Sequence, residues 1–132
     1  MLDRELMREA IKARELSHSP YSEFAVGAAV MTKDGRVFHG ANIENASYGL
    51  SMCAERIALY CAYMAGCTKR DFKAMAIVAD TRRECSPCGA CRQVIAELFP
   101  EDAPIYMGNL DGDIEETTLK ELLPHAFTEE DL

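Results

Sequence analysis

The chain is short of positive charge. Lys and Arg together number 14 against 22 Asp and Glu, so the net charge is −8 at pH 7 and the pI is about 4.8. Nucleic-acid polymers are held by clustered Lys and Arg against phosphate, and this balance argues against such a partner. It leaves a small neutral substrate open. Long apolar runs are also missing. Nothing approaches the roughly 20 residues of a membrane-spanning helix. The first residues, Met1-Leu2-Asp3-Arg4-Glu5, are charged where a secretory leader needs an apolar stretch, so a cytoplasmic protein with no membrane partner is expected. Histidine is scarce, and His18, His39 and His125 are scattered. They are given no metal role. There is no internal repeat, low-complexity tract or linker, and 132 residues suit one domain over 1–132.

Cysteine is what the chain has in unusual supply: Cys53, Cys61, Cys67, Cys85, Cys88 and Cys91. A chain of this size buries enough core to fold without disulfides. In a cytosolic setting, clustered cysteines point to metal binding or catalysis instead.

The apolar pattern places these cysteines. Residues 3–17 read as an amphipathic helix ended by Ser19-Pro20. Phe24 to Thr32 is a short buried strand, Lys33-Asp34-Gly35-Arg36 a hairpin turn, and Val37 to Glu44 the return strand. Ser51 to Ala65 has helical character, stopped by Gly66. Lys73 to Asp80 is a buried strand. Ser86-Pro87 opens a further helix that runs to about Phe99. Pro104 to Asn109 is a strand, followed by the Asp111-Gly112-Asp113 turn, a possible extra strand and a short helix over Thr118 to Leu123. Helices alternating with strands after a hairpin imply an α/β fold, with a mixed sheet covered by helices.

Cys88 and Cys91 are three apart. In the first turn of a helix they face the same way, which makes half of a tetrahedral zinc site. Cys53 supplies a third sulfur from the neighbouring helix. Three protein ligands leave a fourth position for water, the catalytic arrangement. Three thiolates on Zn²⁺ leave a net charge of −1, and two helix N-termini aimed at the ion offset it. Arg56 is positioned to donate to the sulfurs. Glu55 lies two residues from Cys53. At a helix terminus its long side chain can reach a metal-bound water and serve as the proton shuttle. The run Cys53-Ala54-Glu55 followed by Pro87-Cys88-Gly89-Ala90-Cys91 matches the general zinc-deaminase signature: His or Cys, one residue, Glu, then Pro-Cys-x-x-Cys.

Nearly end to end, the chain resembles the homotetrameric cytidine deaminase family. The matching stretches are PYSEFAVGAAV (20–30), NIEN (42–45), CAER (53–56), SPCGACRQV (86–94) and ELLPHAF (121–127). The resemblance implies a three-layer α/β/α fold around a mixed five-stranded sheet. It implies one zinc ion per subunit on Cys53, Cys88 and Cys91, with Glu55 as catalytic acid and base. It also implies a homotetramer whose active sites are shared between subunits. Asn42 and Glu44 match positions that grip the sugar; two apart on a strand, they share a face. Phe24 matches an aromatic near the pyrimidine, and Ala54 presents backbone groups to the base. Phe127 and Tyr48 match residues offered by a neighbouring subunit. The activity implied is hydrolytic deamination of cytidine and 2′-deoxycytidine in pyrimidine salvage.

Two departures from the family pattern stand out, Cys85 before Ser86 and His125 within ELLPHAF. Cys85 raises other metal readings. One is part of an iron–sulfur run, though the usual cysteine before proline is missing. The other is a closed four-cysteine zinc site in a non-catalytic, zinc-stabilised interaction domain, which leaves Glu55, Asn42 and Glu44 without a task. A blasticidin S type deaminase shares the metal motif but fits NIEN, Arg56 and Phe127 less well. Nucleic-acid base editing fits neither the charge nor a cysteine as first ligand, and a nucleotide deaminase needs a phosphate cradle that the chain lacks. Cys61 and Cys67 read as ordinary small residues, the methionines as core filler, and residues 129–131 as a solvated acidic tail.

Overall fold

A computed structural model describes residues 1–132. The elements run α1 (Leu2–Arg14), β1 (Val26–Thr32), β2 (Val37–Ala41), α2 (Ala54–Met64), β3 (Phe72–Ala79), α3 (Gly89–Leu98), β4 (Ile105–Asn109), β5 (Ile114–Thr117) and α4 (Leu119–Leu122). The five strands form one sheet in the order β2-β1-β3-β4-β5. Only β3 and β4 pair in parallel, and α3 is the crossover between them. The expected α/β architecture, a mixed five-stranded sheet between helices, is therefore what the chain adopts.

The strands read as apolar runs because both faces of the sheet are covered. Along β1, Ala28 and Val30 point into a core shared with α2 and α3. Ala29, on the other face, packs with Leu6, Met7 and Ala10 of α1. The same alternation divides β3: Met75 and Ile77 face one core, and Ala74, Ala76 and Val78 the other. Phe72 and Phe99 anchor the larger core with ring centroids 5.6 Å apart. Complete burial of such a side chain stabilises the fold by about 1.5–3 kcal/mol.

Two glycines let the helices lie directly on the sheet. A Cβ at Gly27 would come within 2.1 Å of the Ala10 carbonyl oxygen, and one at Gly40 within 2.2 Å of that of Ala54. The first seats α1 and the second seats the opening turn of α2.

The boundaries differ from the sequence reading where long-range pairing intervenes. The first helix stops at Arg14, short of Ser19-Pro20, because His18 donates its N–H to the Asn42 carbonyl and joins an extended bridge to Ile43. Strand β1 begins at Val26, after a left-handed Glu23 (φ 56°) and a tight turn in which Phe24 N–H bonds Ser22 Oγ. Strand β2 ends at Ala41, so Asn42 and Glu44 lie beyond it. Helix α2 begins at Ala54 instead of Ser51, since Met52 is still bridged to Ile43. Helix α3 begins at Gly89, with Cys88 and not Ser86 as its cap.

Candidate active site

Helices α2 and α3 start side by side at one end of the sheet, and each starts on a cysteine. Cys53 is the N-cap of α2. Cys88 is the N-cap of α3, where its sulfur accepts the Cys91 backbone N–H at 3.4 Å. Sulfur thus takes the place that Ser, Thr or Asp usually fills. Cys91 sits one turn into α3 and is fully buried. The Sγ atoms of Cys53 and Cys88 are 3.8 Å apart, those of Cys88 and Cys91 3.1 Å, and all three lie within 4.8 Å of one another.

These spacings suit a metal. Sulfurs at about 2.3 Å from a tetrahedral zinc ion are separated by about 3.8 Å. The donors are all thiols, which favour zinc once ionised, and the surroundings of Cys53 favour its ionisation. Arg56 donates Nη2–H to the Cys53 sulfur at 3.4 Å. Hydrogen bonds from the Cys91 thiol and from Arg56 hold the Cys53 sulfur well below the usual thiol range. The free amides at the two helix starts add positive potential at the same point. Arg56 therefore stands where the sequence placed it, and its Nε, also buried, has no partner.

Glu55 is the second residue of α2 and only 4% exposed. Burial raises its carboxyl pKa, and the nearby Cys53 sulfur raises it further. A carboxyl that keeps its proton more readily than usual, two residues from Cys53 and beside the sulfur cluster, is suited to passing protons to and from a substrate.

A cleft of about 210 Å³ opens here, lined by Phe24, Val26, Asn42, Cys53, Ala54, Glu55, Cys85, Ser86 and Cys88. Most of the residues proposed from the sequence meet in it. Asn42 crosses from the end of β2 to the start of β1. Its Oδ1 accepts from Val26 N–H at 2.9 Å and Ser17 Oγ–H at 2.5 Å, and its Nδ2 donates to the Phe24 carbonyl at 2.8 Å. One amide proton is left for a ligand. Glu44 lines a separate hollow with Tyr21, Ser22, Tyr48 and Ser51 and accepts from the N–H groups of Tyr21 and Ser22 at 3.0 and 3.1 Å. Though past the strand, Asn42 and Glu44 both turn toward residues 17–26, with the exposed Ile43 between them. Phe127 and Tyr48, 59% and 76% exposed, do not line the cleft.

Cys85 stands apart from the three sulfurs. Its N–H bonds the Gly108 carbonyl at 3.0 Å, and burial pushes its thiol up to about 11. Neither a four-cysteine zinc site nor an iron–sulfur run is assembled. Cys85→Ala is accordingly expected to retain zinc and turnover, checked by metal content and initial rate; loss of both would place Cys85 among the ligands.

The sequence reading gave no place in the site to three of the residues that build it. Val26 and Ser86 line the cleft. Asn109, 1% exposed, holds the loop after β3 by donating Nδ2–H to the Arg82 carbonyl at 3.3 Å. A buried Asn at a strand end just before Asp-Gly was the available signal for the last.

Cysteines at the N-cap positions of two adjacent helices, with a buried carboxyl just inside one of them, match the class of zinc-dependent deaminases. The family described as "Cytidine and deoxycytidylate deaminase zinc-binding region" matches residues 1–107, and the chain belongs to it. A cytidine deaminase from Halalkalibacterium halodurans is 61% identical over 132 residues, covering 99% of this chain and 98% of that one. Another, from Sporosarcina psychrophila, is 55% identical over 127 residues, 96% of this chain and 92% of the relative. The crystal structure of cytidine deaminase from Burkholderia pseudomallei superposes with a TM-score of 0.94 at 49% identity, covering 96% of this chain and all of that one.

Proposed function

We propose that this enzyme hydrolyses the exocyclic amine of cytidine and 2′-deoxycytidine, releasing uridine or 2′-deoxyuridine and ammonia, as a step in pyrimidine salvage. The observation that carries the reading is the buried Glu55 carboxyl in one cleft with Cys53, Cys88 and the free amide proton of Asn42.

Cys53, Cys88 and Cys91 would hold one zinc ion per chain. When bound, zinc supplies the Lewis acidity that lets water lose a proton near neutral pH. Glu55 takes that proton as the water oxygen bonds to C4 of the ring, and delivers it to the adjacent ring nitrogen. A second proton passes through Glu55 to the amine as the C4–N bond breaks and ammonia leaves. Phe24 covers the ring, and Ala54, at the first helical position of α2, offers backbone groups to the base. Asn42 donates to a sugar hydroxyl, and Glu44 accepts from another with the lone pairs its loop leaves free. Arg56 holds the Cys53 thiolate in place.

The whole of residues 1–132 acts as one domain in a cytoplasmic homotetramer that binds neither nucleic acid nor membrane. Tyr48 and Phe127 support the shared-site reading, for both are large, exposed and outside their own chain's cleft. No helix is long and apolar enough to cross a membrane.

The test follows the ultraviolet absorbance of cytidine with purified protein, before and after zinc chelation. Conversion to uridine that chelation abolishes is the expected result. Absence of turnover from folded, zinc-loaded protein would remove the reading in favour of a blasticidin-type or non-catalytic one.

A further inference from the structure

The loop that delivers Cys88 is anchored by the buried Pro87 and by Cys85 N–H on the Gly108 carbonyl, but Ser86 and Pro87 have few hydrogen bonds. Ser86 and Pro87 lie between the end of β3 and the start of α3, in no regular element. Their hydrogen bonds all come from one side chain. Arg92 donates Nη2–H to Ser86 Oγ at 2.7 Å and Nε–H to the Pro87 carbonyl at 3.0 Å. Its backbone N–H closes the first turn on the Cys88 carbonyl at 3.0 Å. The Ser86 hydroxyl and the Pro87 carbonyl, directly before the Cys88 sulfur of the triad, are thus held by the Arg92 side chain.

The same guanidinium reaches the other way. Nη1–H donates to the Leu122 carbonyl at the end of α4, at 2.7 Å. That carbonyl is among those a helix leaves unpaired at its C-terminus. The next residue, Gln93, donates Nε2–H to the Phe127 carbonyl at 2.7 Å. Arg92 is half-buried, does not line the cleft and donates to no sulfur. Three acceptors in different directions need the rigid planar fork of Arg; the single ammonium of Lys cannot meet them together.

We propose that Arg92 is a positioning residue for the metal site, clamping the Ser86–Cys88 loop to the C-terminal segment so that retention of the ion depends on it. The inference rests on the reading of the three cysteines as zinc ligands. Loss of a group that orients metal ligands from behind typically lowers affinity about 10–100-fold. A residue needed only for the fold would lower stability without a selective effect on metal release.

The experiment uses full-length, zinc-loaded protein and records zinc release to excess 4-(2-pyridylazo)resorcinol, with circular dichroism as the check on folding. Arg92→Lys is expected to release zinc about 10–100-fold faster than the parent chain, with its helix signal kept. Ser86→Ala removes one of the clamp's bonds but leaves the guanidinium, and is expected to fall between the two; it serves as the test if Arg92→Lys does not fold. Gln93→Ala, which loses a tether from the same helix, should release zinc at close to the parent rate. Parent-like release from both Arg92→Lys and Ser86→Ala overturns the proposal. So does equally fast release from Gln93→Ala, which would make the effect a general loosening. A parent chain that holds no zinc would instead overturn the ligand reading beneath it.

Discussion

Glu55→Gln is expected to keep its fold and its zinc and to lose about 10²–10⁴-fold in kcat, the usual scale for a general acid–base group. The amide matches the carboxyl in shape, so packing at a position only 4% exposed is preserved. It can neither take a proton from water nor hand one to the ring. Burial, and then the Cys53 sulfur, raise the Glu55 carboxyl above its ordinary value, toward the range where one group can both accept and release a proton. The effect should therefore fall on kcat, with a small change in KM. Rates from the absorbance assay, set beside zinc content, decide the matter. Near-normal kcat from the zinc-loaded variant would take the proton shuttle away from Glu55.

Gly40→Ala should be nearly as damaging, although Gly40 does not line the cleft. The new methyl would sit 2.2 Å from the Ala54 carbonyl oxygen and 2.5 Å from the Ala58 nitrogen. Both are backbone atoms of α2 and cannot rotate aside. Overpacking of this kind costs about 1–3 kcal/mol, sometimes more. Relief requires the opening turn of α2 to rise off the sheet, and that turn carries Cys53 and Glu55. A misplacement of about 1 Å can cost 10²-fold in rate, so kcat should fall on that order while Tm drops by several degrees. Gly49→Ala is the control, since its Cβ has nothing within 4 Å. Parent-like kcat and Tm for Gly40→Ala would show that the helix seats differently from the contact described.

What the sequence disclosed and what it hid follow one physical division. The clustering of Cys53, Cys88 and Cys91 with Glu55 beside them was legible because the motifs are local: one residue between Cys53 and Glu55, two between Cys88 and Cys91, each group at a helix start. Strand β3 was legible because the run KAMAIVAD is apolar on both faces, and the hairpin because Asp34-Gly35 permits its turn, Gly35 having φ 92°. Asn42 was placed on a strand because an alternating pattern cannot show where pairing stops. Its own side chain ends the ladder by taking the Val26 N–H, a partner 16 residues away. Ser86-Pro87 looked like a helix start because serine caps and proline opens helices. Here the Ser86 hydroxyl is engaged by Arg92 from inside the helix, and the cap falls to a sulfur two residues on. Such choices are made by contacts across the fold, to which local preference is blind.

The capping sulfur of Cys88 has a consequence of its own. A helix that begins on serine carries its first-turn partner with it wherever the chain goes. Helix α3 begins instead on a sulfur that accepts the Cys91 N–H and that, in the proposed site, the ion would also claim, so occupancy of the site and integrity of that helix end would form one equilibrium. Each tightening of the ion is then felt as folding free energy, in proportion to the logarithm of its free concentration. On the proposed zinc reading, a chain starved of zinc would lose order at the start of α3 together with its activity, making zinc supply a determinant of how long the protein survives as well as how fast it works.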